Sequence, residues 1–343
     1  MPNKTASIGI GIIGCGRITE ERHAPEYAAC QGAEIVGYFD FVRERAEALA
    51  KRYGGEVFSS IEEMLACKAI GAVSVCTANA THARISIDAL RAGKHVLCEK
   101  PMATTPEECE AMLAEAKRAD RRLMIAHNQR FFPVHRKARE LVAAGAIGRV
   151  LRAATVFGHS GPDNWSVDRG TGNWFFDKTK SAFGATADLG VHKIDLVRYL
   201  LGEEIVGVTA MLGTLDKRDA AGNPVSVDDN AAAIYRMASG AIATVTASWT
   251  YYGEEENGTS LYGTEGQMRI SPAEGRITLR TREGDEKILD GLTAEHSGVM
   301  EEFVGAILAE APSVLDAEAV IPSMTALFAT VKAASEGVCI PVM

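Results

Sequence analysis

The chain has 343 residues, too many for one typical core, and this length favours two domains that each bury their own apolar surface. Apolar residues make up 47% and charged residues 24%, an ordinary globular balance that excludes a disordered chain. A net charge of −9 leaves nothing overall to attract nucleic acid or an anionic membrane, and no apolar stretch approaches transmembrane length. The seven cysteines are an odd set without C-x-x-C spacing, several inside apolar runs, and read as reduced thiols of a cytoplasmic protein. Lys4 before the apolar run Ile8 to Ile13 resembles an export signal, but the run is glycine-broken and lacks a separate cleavage site, so export is not expected.

Residues 6–125 alternate short β-rich runs with amphipathic helical ones, a pattern for parallel strands joined by helical crossovers. Strands are expected over 7–13, 34–39, 72–76, 95–98 and 123–126. Ser60 with Glu63 is a capping box, and Thr105, Pro106 and Glu108 supply N-cap, N1 proline and N3 glutamate. Gly54 and Gly93 fall where helix C-caps belong. The domain boundary is expected near 127–130, giving a first domain of residues 1–128 and a second of 129–343. A helix to about Ala144 and a strand over 149–157 follow, then a polar segment with Trp165 and Trp174 and a helix over 188–201. Runs at 205–212, 230–237, 241–249, 260–262, 267–270 and 276–280 succeed one another without helices and predict a mostly antiparallel sheet. Helices over 298–310 and 317–335 close the pattern.

Several constellations carry chemistry. Gly11, Gly14, Gly16, Arg17 and Ile18 lie in a glycine-rich turn between a strand and a helix, the context of a dinucleotide-binding turn, although Thr19 replaces its third glycine. Asp40 ends the next strand and would accept from the adenosine ribose, favouring NAD over NADP; Arg43 nearby keeps NADP open. Thr77, Ala78, Asn79 and His82 follow the third strand and reach the same edge, where Asn79 also fits a plain turn and Thr81 a helix cap.

The fourth strand runs into Glu99-Lys100-Pro101. Proline cannot join a sheet ladder, so the strand ends at Lys100 and its cation points toward the crevice beyond the strands. Asp188, His192 and Asp195 stand at i, i+4 and i+7 of one helix. The pair Asp188 and His192 suits acid/base work, with a core histidine as the alternative; no second histidine or cysteine stands near, so no metal is expected.

In this order, the motifs at 11–18, Asp40, 77–82, 92–101 and 188–196 resemble the Gfo/Idh/MocA family of oxidoreductases across essentially the whole chain. The resemblance implies an α/β fold: an N-terminal Rossmann domain with a doubly wound parallel sheet, then an α/β domain with an open, mostly antiparallel sheet through which homodimers or homotetramers pack. It implies that Lys100, Asp188 and His192 face a sugar or cyclitol, that Glu99, Asn79 and His82 surround the nicotinamide, and that the Lys100-Pro101 peptide is cis. Trp174 becomes a candidate sugar-stacking wall beside its alternative as a core tryptophan. The expected reaction is hydride transfer between NAD and a secondary alcohol; a hydrolase or lyase acting through transient oxidation and a non-catalytic NAD-binding regulator are the alternatives. Members often carry a glycine run before the Asp-x-x-x-His helix, where this chain has Ser181-Ala182-Phe183-Gly184-Ala185, so Ala182 and Phe183 are expected to reshape the pocket.

Overall fold

Strands that must be buried on both faces read as continuous apolar runs, and the first unit is built from such runs. The computed structural model describes residues 7–342, so Lys4 lies outside the described residues. Strands β1 (Ile8–Ile13), β2 (Ala33–Phe39), β3 (Glu56–Val57), β4 (Ala72–Val75), β5 (His95–Cys98) and β6 (Leu123–Ile125) form a parallel sheet in the order β3-β2-β1-β4-β5-β6. The order reverses beside β1, the arrangement that leaves a ligand crevice beyond the carboxyl ends of the strands. The helix caps form as expected. Ser60 Oγ accepts from Glu63 N at 3.0 Å and Thr105 Oγ1 from Glu108 N at 3.2 Å. Each glutamate reaches one residue further back than the capping-box pattern, to the amide of Ser59 or Thr104. Strand β3, only two residues long, carries no periodic signal and is absent from the sequence expectation.

The chain divides into two compact units, residues 7–127 with 296–320 and residues 128–295 with 321–342. Residues 296–320, which the sequence division groups with the second domain, pack with the first unit for identifiable reasons. Ile125 N donates to Leu315 O at 2.9 Å, Arg122 Nη1 to Asp316 Oδ1 at 2.7 Å, and Ser297 N to Glu26 Oε1 at 2.8 Å.

The second unit is a nine-stranded sheet of β7 (Val150–Gly158), β8 (Ile205–Gly213), β9 (Asn230–Met237), β10 (Ile242–Ser248), β11 (Glu256–Gly263), β12 (Gly266–Ser271), β13 (Arg276–Thr281), β14 (Glu286–Leu289) and β15 (Ile340–Pro341). Its order is β14-β13-β12-β11-β7-β10-β9-β8-β15; β7 and β10 pair in parallel and the other neighbours antiparallel. One face carries helices, so residues alternate: Ala233, Tyr235 and Met237 point inward while Ile234 and Arg236 stand exposed. By register, Met211, Ile234, Ile242 and Tyr262 share the outward face, an apolar surface on an open sheet. Among the described residues no helix is long and apolar enough to cross a membrane, and all seven cysteines are free.

Candidate active site

Strand register places the candidate site residues of the first unit. Phe39, Ile13, Val75 and Cys98 form one row across β2, β1, β4 and β5, so the residues that follow them, Asp40, Gly14, Cys76 and Glu99, leave the sheet along one carboxyl edge. Gly14 has φ +95°, and a Cβ there would stand 2.4 Å from the Cys76 carbonyl oxygen, so only glycine fits. A Cβ on Gly16 would meet nothing within 4 Å; that backbone is open to a ligand. Thr19, in the place of the third glycine, is buried and donates from Oγ1 to Gly14 O at 2.6 Å, tying the helical segment to the turn. Gly11 lies inside β1, where a Cβ would meet Met64 Sδ at 2.9 Å, so its glycine serves close packing of the helix Ile61–Ala66. Arg17 is exposed and paired with Glu21, and Ile18 is half-buried.

Asp40 is fixed by two backbone amides, Cys15 N to Oδ2 at 2.6 Å and Val42 N to Oδ1 at 2.8 Å. Beside it opens a pocket of about 460 Å³ lined by Phe41, Arg43, Ser59, Ser60 and Arg84 among others. Arg43 Nε donates to Glu47 at 2.8 Å in a solvated pair. A glycine turn with open backbone, an anchored acid and a pocket of mixed polar and aromatic lining beyond it fit the pyrophosphate and adenosine of a dinucleotide.

Thr77 and Ala78 form the loop after β4, and Asn79 opens a buried 3₁₀ turn, Asn79–Thr81. His82 braces this loop: its Nδ1 lies 2.8 Å from Pro101 O and its Nε2 3.0 Å from Thr77 O. Burial lowers the His82 pKa although both carbonyl contacts favour the charged ring. The Lys100-Pro101 peptide is cis. Glu99 Oε2 accepts from Lys100 N at 3.1 Å, and Oε1 meets His23 Nε2 at 3.0 Å.

The second unit carries Asp188 and His192. Asp188 sits in a π-helical turn, Thr186–Gly190, that leads into the α-helix Val191–Leu201 with His192. Asp228 caps this entry, accepting from Gly184 N at 2.9 Å, Thr186 N at 2.7 Å and Thr186 Oγ1 at 2.6 Å. Burial raises the Asp228 pKa against these hydrogen bonds. A Cβ on Gly184 would stand 1.7 Å from Asp228 O, so only glycine fits there. The Nε1–H of Trp249, a fully buried side chain, donates to Asp188 Oδ2 at 3.0 Å, and the His192 ring lies 6.0 Å from Phe157.

Asp195, which helical spacing put beside that pair, is engaged elsewhere: Arg130 Nε donates to its Oδ2 at 2.7 Å and Ser323 Oγ to its Oδ1 at 2.7 Å. Among the described residues, no three histidine, cysteine or acidic groups gather as metal ligands. Ala182 adopts φ +63°, and Phe183 packs 6.3 Å from Phe328. Trp174 is half-buried and stacked on Phe175 at 3.8 Å, with Trp165 edge-on to Phe175 at 5.3 Å. Lys217 Nζ anchors this aromatic segment to Asp163 Oδ1 at 2.9 Å and Ser160 O at 2.6 Å.

Three residues at the site carry no motif that sequence reasoning uses. His23, Asp228 and Trp249 each act on a residue 42 to 76 positions away. The adjacent acids Asp228-Asp229 before a strand were the one visible signal, since paired acids there suit capping of neighbouring loops.

Comparison with known proteins bears on the family and the fold. The model of an oxidoreductase family with NAD-binding Rossmann fold matches residues 8–127, and that of the GFO/IDH/MocA C-terminal domain matches residues 135–269. Levoglucosan dehydrogenase of Pseudarthrobacter phenanthrenivorans is 34% identical over 244 residues, 66% of this chain and 62% of that protein. The 1,5-anhydro-D-fructose reductase of Ensifer adhaerens is 29% identical over 334 residues, 95% of this chain and 96% of the relative. The solved structure of a levoglucosan dehydrogenase in complex with NADH and levoglucosan superposes with a TM-score of 0.89 at 25% identity, covering 98% of this chain and 99% of that one. The chain thus belongs to the Gfo/Idh/MocA oxidoreductases, NAD-dependent enzymes whose Rossmann domain is the first unit described above.

Proposed function

We propose that this enzyme moves a hydride between NAD and a secondary alcohol of a sugar or cyclitol. The observation that carries the reading is the shared carboxyl edge of the first unit, which sets Glu99-Lys100 in line with the glycine turn and Asp40. The relatives named above act on or bind sugars, which supplies the substrate class. Bound NAD supplies the hydride acceptor. Asp40 takes the ribose hydroxyls, so NAD is expected over NADP in measured kcat/KM. His192 accepts the hydroxyl proton, Asp188 orients that imidazole or an adjacent hydroxyl, and Lys100 stabilises negative charge on the reacting oxygen. Trp174 and its stacked neighbour Phe175 offer an apolar wall to a sugar ring. The outward apolar face of the nine-stranded sheet is read as the contact of a homodimer or homotetramer.

The test is incubation with NAD and a panel of sugars and cyclitols, levoglucosan and myo-inositol included, following reduced cofactor and product together. Lys100→Met is expected to lower kcat on the order of 10²- to 10³-fold while NAD binding persists. Wild-type turnover in that variant removes Lys100 from the chemistry. Product formed without accumulated reduced cofactor would favour transient oxidation with elimination.

A further inference from the structure

The first unit contains a buried hydrogen-bonded chain that the proposed reaction does not use. Tyr27 Oη lies 2.8 Å from Ser74 Oγ, Ser74 Oγ lies 3.2 Å from His23 Nδ1, and His23 Nε2 lies 3.0 Å from Glu99 Oε1. The other Glu99 oxygen holds the Lys100 amide at 3.1 Å. Tyr27, Ser74 and His23 are at most 1% exposed, and the Glu99 side chain is 12% exposed.

Donor and acceptor rules fix the direction of the chain. An ionised carboxylate only accepts, so His23 carries its proton on Nε2 and donates to Glu99. Nδ1 is then an acceptor for the Ser74 hydroxyl, whose oxygen accepts in turn from Tyr27. Every member is satisfied with a neutral ring. Reversing the chain would require a charged imidazole in the core and leave the Tyr27 hydroxyl without an acceptor. Serine, histidine and acid here resemble a hydrolytic triad, yet Ser74 is fully buried and cannot reach a substrate. The chain also ends at Tyr27 in the core, which excludes a proton route to solvent.

We propose that His23, backed by Ser74 and Tyr27, is a positioning residue that holds the Glu99 carboxylate and through it the backbone that presents Lys100. The inference rests on the reading of Lys100 given above. The sequence origins of the chain support it: His23 and Tyr27 come from the segment directly after the dinucleotide turn, Ser74 from β4 and Glu99 from the end of β5. The brace therefore joins the element that begins the cofactor site to the residue beside Lys100. The groups facing Glu99 are Arg22, His23, Lys100, His82, Cys76 and Cys98. Burial raises the Glu99 pKa, but the hydrogen bond and electrostatic attraction of the His23 N–H, with the charges of Lys100 and Arg22, outweigh it and bring the carboxyl down to about 2.

Carbon-13 NMR of the Glu99 carboxyl, assigned with a Glu99→Gln control, and pH profiles of kcat test the brace in His23→Asn and in the milder Tyr27→Phe. Wild-type Glu99 is expected to show no titration above pH 4, because its proton is lost far below. In His23→Asn the Glu99 titration moves upward by more than one pH unit, and kcat falls roughly tenfold or more with a new acid limb, while KM for NAD changes little. Tyr27→Phe produces the same changes in smaller measure. An unmoved Glu99 titration in a folded His23→Asn overturns the brace whatever the reaction proves to be. A shifted titration with unaltered kcat and profile overturns the link to Lys100. Lys100→Met tests the reading of the reaction separately, because the NMR signal does not depend on turnover.

Discussion

Ala182 occupies a backbone conformation, φ +63° with ψ −39°, that an L side chain adopts at a cost of about 1–3 kcal/mol. The sequence expectation put its bulk, with that of Phe183, in the substrate pocket. Phe183 is half-buried, its ring centroid 6.3 Å from that of Phe328. Glycine at 182 would relieve the strain but add chain entropy to the unfolded state, roughly 0.5–1 kcal/mol. Relief is the larger effect. Ala182→Gly is expected to raise stability by about 1 kcal/mol in urea unfolding; a loss of stability would show that the methyl makes contacts worth more than the strain.

The helix that bears Asp188 and His192 shows what an element inherits from distant residues. Its entry is capped by Asp228 and its carboxylate is aimed by Trp249, which donates one hydrogen bond from 61 positions away. Trp249→Phe keeps most of the ring volume and deletes that donor. A hydrogen bond to a charged group contributes about 1.5–3 kcal/mol, so kcat is expected to fall on the order of tenfold or more while cofactor affinity holds. Equal kcat in a folded variant would show that Asp188 needs no such anchor. Most strands, both helix caps and the glycine turn were legible because each is encoded within a few residues, as an apolar run, apolar alternation or a three-residue cap spacing. The braces on Glu99 and Asp188 were not, since His23 and Trp249 meet their partners only after the sheets have formed.

At the scale of the whole molecule, buried thiols set the response to alkali. Burial raises the pKa of Cys15, Cys30, Cys76, Cys98 and Cys109, the last to about 12. Above pH ~8.5 the unfolded chain loses those protons while the folded chain keeps them, so stability falls by about 1.4 kcal/mol per pH unit for each group. Lys193 acts with the opposite sign. It is fully buried, donates to Asn257 Oδ1, and burial lowers its pKa to about 7. Between pH 7 and ~10.4 the unfolded chain binds its proton and the folded chain does not, so stability rises over that interval. Five thiols outweigh one lysine above pH ~8.5. Urea unfolding is expected to show maximal stability between pH 7 and 8.5 with a steep decline beyond. Lys193→Met should flatten the rise and leave the decline, and an undiminished stability at pH 10 would contradict the thiol argument.

The segment 296–320 ties its hydrogen bonds to Glu26, Arg122 and Ile125 although residues 128–295 lie between them in the chain. On a ribosome adding about 5–20 residues per second, the cofactor unit waits on the order of 10 s after its last strand is made before these partners exist. The nascent dinucleotide fold passes that interval with the Ile125 amide, the Arg122 guanidinium and the Glu26 carboxylate still in water. Its completion is thus timed by the synthesis of the unit that follows it.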